Sequence, residues 1–363
     1  MSDFDYGNAR LRVMKSRLLS RRELETLAEA SNLQSLTVAL IKTPYRKAIE
    51  TALARTTGMD CITEALRNDL IDTALKIRQF YSETASELVA SVLRTYDIHN
   101  IKAILRGLGR NVPLGEIYTT LLPIGDISYS LLVEIAHASG PRLAIDLIAS
   151  LNLPIAQPLL KLRGERPGAE TPEMELALDQ WYFRETVKKL DAQTHDDELL
   201  QSALKLDADI TNLLTVLRFV HAPAERRLLR DRFSTEQFTT LLVGPGRIPF
   251  AALGRAADEN TLAGAVASLA KPPYHTTLQA GLEAFSKSGR LSDFESQLQR
   301  FRLKWMSQWI TKDPLGIGVL LGYLALKGNE IRDLRWISKG INLGLNKENL
   351  RAELVGGSFV GIL

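Results

Sequence analysis

Apolar residues return along this chain every three or four positions. Ile98, Ile101, Leu105 and Leu108 mark one such stripe, with His99, Asn100, Lys102 and Arg106 between them. That spacing lines one face of an α-helix. Leu, Ala, Glu, Lys and Arg dominate the composition, and the alternation of a half-buried strand is scarce. Glu64–Leu93 contains neither Pro nor Gly, which predicts one long helix or two abutting ones, and Leu291–Lys312 reads the same way. Pro and Gly punctuate the chain at Thr43-Pro44, Arg55–Asp60, Gly107–Pro113, Pro154–Pro158, Arg163–Pro172, Val243–Pro249, Lys271–Tyr274 and Asp313-Pro314. Arg163–Pro172 reads as the best exposed loop, and the tail Gly356–Leu363 has no clear period. The fold class is all-α.

The pattern repeats. Asp97-Ile-His-Asn-Ile-Lys-Ala-Ile-Leu-Arg106 shares five of ten residues with Asp209-Ile-Thr-Asn-Leu-Leu-Thr-Val-Leu-Arg218, 112 positions on. Glu330-Ile-Arg-Asp-Leu-Arg-Trp-Ile-Ser-Lys339 is a weaker third copy, a further 121 positions on. Two more anchors keep step. Leu66, Leu178 and Leu298 precede the acidic residue of their copies by 31, 31 and 32 residues. After each motif, Pro113-Leu-Gly-Glu116, Phe233-Ser-Thr-Glu236 and Leu345-Asn-Lys-Glu348 read as helix starts with an early acidic residue. This divides the chain into helical repeats at 1–122, 123–244 and 245–363. Within the motif, Asp97 and Asp209 are placed to N-cap the helix that follows. Asn100 and Asn212, with Asp333 in the third copy, lie beside the apolar stripe, where a polar residue hydrogen-bonds a neighbouring backbone. On this reading Asp97, Asn100, Arg106, Asp209, Asn212, Arg218, Glu330 and Asp333 are architectural. A role at an interface is the alternative.

Length and composition narrow the setting. The 363 residues hold 45 Lys+Arg and 42 Asp+Glu, a net charge of +3. That balance gives no ground for a nucleic-acid partner. A single cysteine, Cys61, excludes an intramolecular disulfide and a cysteine-based zinc cluster. No stretch has the length of uncharged apolar residues that a membrane span needs: Leu147–Leu160 is short and holds Pro154 and Pro158, and Pro314–Leu326 is shorter. The opening MSDFDYGNARLRVMK has no apolar signal core, so an intracellular protein is expected.

Catalytic motifs are missing. Gly281–Ser288 approaches a phosphate-binding loop, but Ser286 stands at its second glycine and the segment reads as helix. Gly316–Gly322 misplaces the third glycine of a dinucleotide fingerprint, and helix packing explains it better. The five histidines, His99, His137, His195, His221 and His275, are scattered. His195-Asp196-Asp197 reads as an exposed turn, and Ser202-Ala-Leu-Lys205 lacks companion motifs. No catalytic, cofactor-binding or metal site is expected.

Several segments resemble the C subunit of V-type/A-type (archaeal-type) rotary ATPases, called the d subunit in eukaryotes. They are Tyr6-Gly-Asn-Ala-Arg10 with Arg12, Leu18-Leu19-Ser20 and Glu23-Leu24, then Thr43-Pro44-Tyr45. Tyr96–Arg106, Asp313-Pro-Leu-Gly-Ile-Gly318, Tyr323 and Lys327–Ile337 follow in the family's order. The resemblance implies three helical domains in a pseudo-threefold funnel with a central opening. It also implies a non-catalytic rotor part at the cytoplasmic face of the membrane. There the funnel rests on the proteolipid ring and receives the shaft made by the D and F subunits. A helical-repeat scaffold outside any rotary ATPase is the alternative.

Two further features bear on contacts. Arg10, Arg12, Lys15, Arg17, Arg21 and Arg22 form a basic cluster assigned to the N-terminal helix. It is either a solvated face or a contact, through Arg10, Arg12 and Arg17, with polar loops of the ring or anionic headgroups. Trp181, Trp305, Trp309 and Trp336 are core residues or interface anchors.

Overall fold

The structure is a computed structural model that describes residues 4–190, 194–222, 235–269 and 272–354. Of the described residues 75% are helical, and no strand occurs among them. The first helices are α1 (Asp5–Lys15), α2 (Arg21–Ala28), α3 (Leu33–Leu40), α4 (Arg46–Leu53), α5 (Gly58–Gln79) and α6 (Glu83–Leu93). Then come α7 (Thr95–Gly109), α8 (Leu114–Thr120), α9 (Tyr129–Ala136), α10 (Pro141–Ser150), α11 (Ala156–Glu165) and α12 (Thr171–Lys189). The rest are α13 (His195–His221), α14 (Thr235–Thr239), α15 (Phe250–Ala257), α16 (Leu262–Ser268), α17 (His275–Ser288), α18 (Ser292–Ser307), α19 (Trp309–Lys312), α20 (Gly318–Asn342) and α21 (Lys347–Glu353).

Side-chain caps set several of these boundaries. Ser20 and Glu23 form a reciprocal capping box at α2, and the side chains of Asn32, Ser128, Thr194 and Thr261 accept first-turn amides of α3, α9, α13 and α16. The stretch Glu64–Leu93 breaks between α5 and α6, where Tyr81 turns into the core. Its ring meets Phe4 edge-on at 5.6 Å, and its hydroxyl donates to Asn8 Oδ1 at 3.0 Å. The loop expected over Arg163–Pro172 is shorter, because α11 runs on to Glu165 and α12 begins at Thr171. Arg163 is held there by Asp146 at 2.6 Å. The tail Gly356–Leu363 lies outside the described residues.

The chain divides into two compact units. Among the described residues, unit 1 holds 4–17 together with Ala30–Lys189, and unit 2 holds Leu18–Glu29 with those from Leu190 to Leu354. In unit 1, α7 packs against α9, α10 and α12. In unit 2, α13 packs against α15, α16 and α18, and α20 packs against α2. The motif-bearing helices α7, α13 and α20 thus lie on α9, α15 and α2 respectively.

Gly7 shows how tightly the first helix is seated. A Cβ there would lie 2.2 Å from the buried Tyr81 ring. Gly7→Ala must displace that ring and its bond to Asn8, and is expected to lower unfolding free energy by about 1–3 kcal/mol. Denaturant unfolding measures it; an unchanged midpoint would show that the ring moves without cost.

Candidate functional site

The motif residues are brought to two buried clamps of the same design. Asp97 does not cap its own helix: it lies inside α7, and Asp209 lies in the middle of α13. Both carboxylates instead accept amides of the segment leading into the next helix. Asp97 Oδ2 accepts from Asp126 N–H at 2.8 Å and Oδ1 from Ile127 N–H at 3.1 Å. Asp209 Oδ1 accepts from Arg247 N–H at 2.9 Å and Ile248 N–H at 3.0 Å, while Oδ2 accepts from Tyr274 Oη–H at 2.7 Å. The physical reason is burial. Ile127 is buried and Ile248 half-buried, so their amides are drawn away from water, and the acceptor comes from the neighbouring helix.

The asparagines complete the clamp. Asn100 donates to Leu122 C=O at 2.7 Å and accepts from Leu122 N–H at 2.7 Å. Asn212 donates to Val243 C=O at 2.7 Å and accepts from Val243 N–H at 2.9 Å. A carboxamide suits this, since it carries donor and acceptor on one planar group. Both asparagines are fully buried. Asp126 and Ile127 follow Leu122 at the offsets by which Arg247 and Ile248 follow Val243. Gly125 and Gly246 stand just before the clamped amides, and a Cβ on either would fall 2.2 Å from the aspartate Oδ1.

The third copy keeps half of the device. Glu330 accepts the N–H of Leu19, the residue before the Ser20 cap of α2, and pairs with Lys327 Nζ at 3.0 Å. Leu19 thus stands to α2 as Ile127 stands to the cap of α9. Asp333 does not reproduce the asparagine. A carboxylate has no N–H to give, and Asp333 accepts from Asn329 Nδ2 at 2.9 Å beside Arg332 at 3.6 Å.

Arg106 and Arg218 also correspond. Arg106 makes a two-point contact with Glu175 at 2.8 and 2.6 Å, next to Lys102–Asp179 at 2.7 Å. Arg218 pairs with Glu295, and Arg302 forks onto Asp207 at 2.6 and 3.0 Å. Glu175 and Glu295 each lie three residues before an anchor leucine, Leu178 or Leu298. Tyr274 follows Pro273 as Tyr45 follows Pro44, and both tyrosines are fully buried. Glu175, Glu295 and the role of Tyr274 were missed in the sequence; the shared offsets from known anchors were the available signal.

Other expectations change. The basic cluster is not on one helix, because the Ser20 capping box starts a new one. Arg10, Arg12 and Lys15 lie on α1, Arg17 follows it, and Arg21 and Arg22 lie on α2. All six are exposed. Arg10 leans on the Tyr6 ring at 5.2 Å, and Arg21 donates to the carbonyls of Leu354 and Arg351 at 2.9 Å. None of the four tryptophans is fully exposed; Trp305 and Trp309 meet edge-on at 5.7 Å. Among the described residues the exposed Phe, Tyr and Trp side chains are Tyr6, Tyr129 and Phe250. His195–Asp197 begins α13 instead of forming a turn, with Asp196 Oδ1 accepting from Ile317 N–H at 2.7 Å. Phe233 and Ser234 of the second post-motif anchor lie outside the described residues. Gly281 is helical and faces Phe294. No group of three His, Cys, Asp or Glu suited to a metal occurs among the described residues.

The family model for the ATP synthase (C/AC39) subunit matches residues 7–353. The chain belongs to that family. Curated relatives match over nearly their whole length. The C subunit of the A-type ATP synthase of Methanococcoides burtonii is 28% identical over 363 residues, covering 98% of this chain and 94% of that protein. That of Methanosarcina acetivorans is 26% identical, over 98% and 93%. The C subunit of the V-type ATP synthase of Deinococcus radiodurans is 24% identical, over 97% and 90%. The segments that resembled the family have local structural reasons in this member. In Asp313–Gly318, for example, Asp313 Oδ2 accepts from Gly318 N–H at 2.8 Å at the start of α20, and a Cβ on Gly318 would sit 2.8 Å from the Asp313 side chain.

Burial pushes the Asp97 carboxyl up to about 6, against the pull of the two amides it accepts and of Arg94. Burial also raises Asp209, opposed by Ile248 N–H, Tyr274 and Arg247. Between about pH 4, where an unfolded aspartate titrates, and about pH 6 the folded chain holds the extra proton. The stability contributed by Asp97 therefore falls as pH rises through that window and is level above it. Asp97→Asn should remove this slope, read from melts of both proteins across the window; parallel curves would refute it. Asn100→Ala strands the N–H of Leu122, whose C=O keeps its bond from Ile124 N–H at 2.7 Å, and the stranded group should cost about 1–3 kcal/mol in denaturant unfolding.

Proposed function

We propose that this chain is the non-catalytic central-stalk rotor component of a V/A-type ATPase. On this reading it is a socket at the cytoplasmic face that couples the D and F shaft of the soluble head to the membrane proteolipid ring. Three helical repeats, 1–122, 123–244 and 245–363, form a pseudo-threefold funnel whose central opening takes the shaft. The observation that carries the reading is a buried clamp that occurs at Asp97 and Asp209, with its carboxylate half kept at Glu330, in a chain that belongs to the ATP synthase (C/AC39) subunit family across residues 7–353. A repeated polar lock that serves backbone and not ligand suits a part that carries load. No helix among the described residues is long and apolar enough to cross a membrane, which suits a part resting on a ring. The scaffold reading outside rotary ATPases is set aside by family membership.

Native mass spectrometry of the detergent-solubilised membrane complex tests the assignment. One copy of this chain per assembly, leaving together with the ring or the shaft, is expected; purified complexes that lack it would sink the proposal. Arg10, Arg12 and Arg17 are exposed, and we assign them to contact with polar ring loops or anionic headgroups. Reversing all three to Glu should weaken co-purification with the ring, more so at low salt, since exposed charges are screened over about 10 Å at 0.1 M salt. Unchanged recovery would return these arginines to a solvated face.

A further inference from the structure

We propose that a cleft in unit 1, at the C-terminal end of α7, binds a small phosphate-bearing molecule of nucleotide size. The cleft measures about 640 Å³, within the roughly 300–1,000 Å³ of small-molecule sites. Five arginines line it: Arg106, Arg110, Arg142, Arg163 and Arg166. No lysine does. A planar guanidinium offers two parallel N–H donors that match phosphate oxygens, which an ammonium cannot do.

Three of the five are held by carboxylates. Arg106 is forked onto Glu175, Arg163 meets Asp146 at 2.6 Å, and Arg166 pairs with Glu173. Arg110 and Arg142 are exposed and make no ion pair among the described residues. Glu170 is the one lining carboxylate that no arginine holds. Three arginines fixed in place beside two free ones form a pre-set cationic rim with open valences. Arg142 is in the first turn of α10, whose N-cap, Gly140, brings no capping side chain. The positive end of that helix adds to the field.

The floor decides the size of the ligand. Ile145 and Leu159 are buried there, and Met174 and Pro141 join them. A bare phosphate leaves such a floor unused. A phosphate group joined to an apolar ring fills both parts, so a nucleoside di- or triphosphate fits better than inorganic phosphate.

Calorimetric titration of the full chain with ADP, pyrophosphate and inorganic phosphate at low salt tests this, with phosphatidic acid–phosphatidylcholine vesicles as a further arm. ADP and pyrophosphate should bind, ADP more tightly. The double variant Arg110→Gln, Arg142→Gln should lose about tenfold or more in affinity, as expected when charge-assisted bonds are removed. Its thermal midpoint should hold, because neither side chain has an ion pair to lose. Arg110→Lys with Arg142→Lys keeps the charge and loses the forks, and should fall between the two. Absence of ADP and pyrophosphate binding at millimolar concentration overturns the proposal. So does equal binding by the folded Gln double variant, or binding to the vesicles alone.

Discussion

A backbone amide that is carried out of water must find an acceptor, and three helix starts in this chain depend on that rule. The segments leading into α9 and α15 carry apolar side chains into the core. Leu121, Leu122 and Ile124 are buried before α9, as are Leu242 and Val243 before α15. Their burial takes the backbone with them, and no strand or helix is there to pair it. The aspartate and asparagine of the preceding repeat's long helix do so instead. The remaining details follow from that need. Gly125 and Gly246 are bare because a Cβ would strike the carboxylate. The aspartates themselves are buried, at the expense of a raised pKa.

The third copy shows which parts of the device can be exchanged. Leu19 comes from the far end of the chain and follows α1 closely, so the residue that corresponds to Leu122 by offset is Met14, inside that helix. Its amide belongs to the helical ladder, and a reciprocal asparagine has nothing to clamp. Asp333 occupies the position and turns to Asn329 and Arg332. Glutamate replaces aspartate at 330 and still reaches the N–H of Leu19, with Lys327 beside it to offset a buried charge. The carboxylate is retained in all three copies and the carboxamide only where a free residue awaits it.

Periodicity alone made the all-α fold legible, since the stripe at Ile98, Ile101 and Leu105 faces the core as its spacing requires. The repeated Asp and Asn were legible as a pattern, and the buried position of the asparagine followed from its place beside the stripe. Their partners were not legible. Asp97 bonds to residues 29 and 30 positions away, and Asp209 to residues 38 and 39 positions away. An unequal loop between equivalent contacts hides them from any fixed offset, so the nearer explanation, a cap on the same helix, took their place. Glu175 and Glu295 were hidden differently. The corresponding residue before Leu66 is Thr63, so the ion pair has no counterpart in the first copy to make a triplet. The basic cluster looked continuous because charge spacing does not reveal that Ser20 and Glu23 start a new helix.

The choice of interaction bears on the proposed mechanical role. Exposed ion pairs such as Arg46–Glu50 contribute little and weaken with salt. Their long side chains also yield when pulled. The clamp uses short side chains, buried and each making two bonds to a backbone, so a displacement of one helix must break both bonds and expose unpaired groups. That resistance is steep over a fraction of an ångström, and salt does not screen it. The Arg106–Glu175 and Arg302–Asp207 forks stand on the same long helices as the clamps and add geometric restraint where burial is incomplete. A helical repeat fastened this way transmits a push from one helix to the next with little slack. A rotor adaptor needs that property, and side-chain packing alone, which permits small sliding motions, supplies less of it.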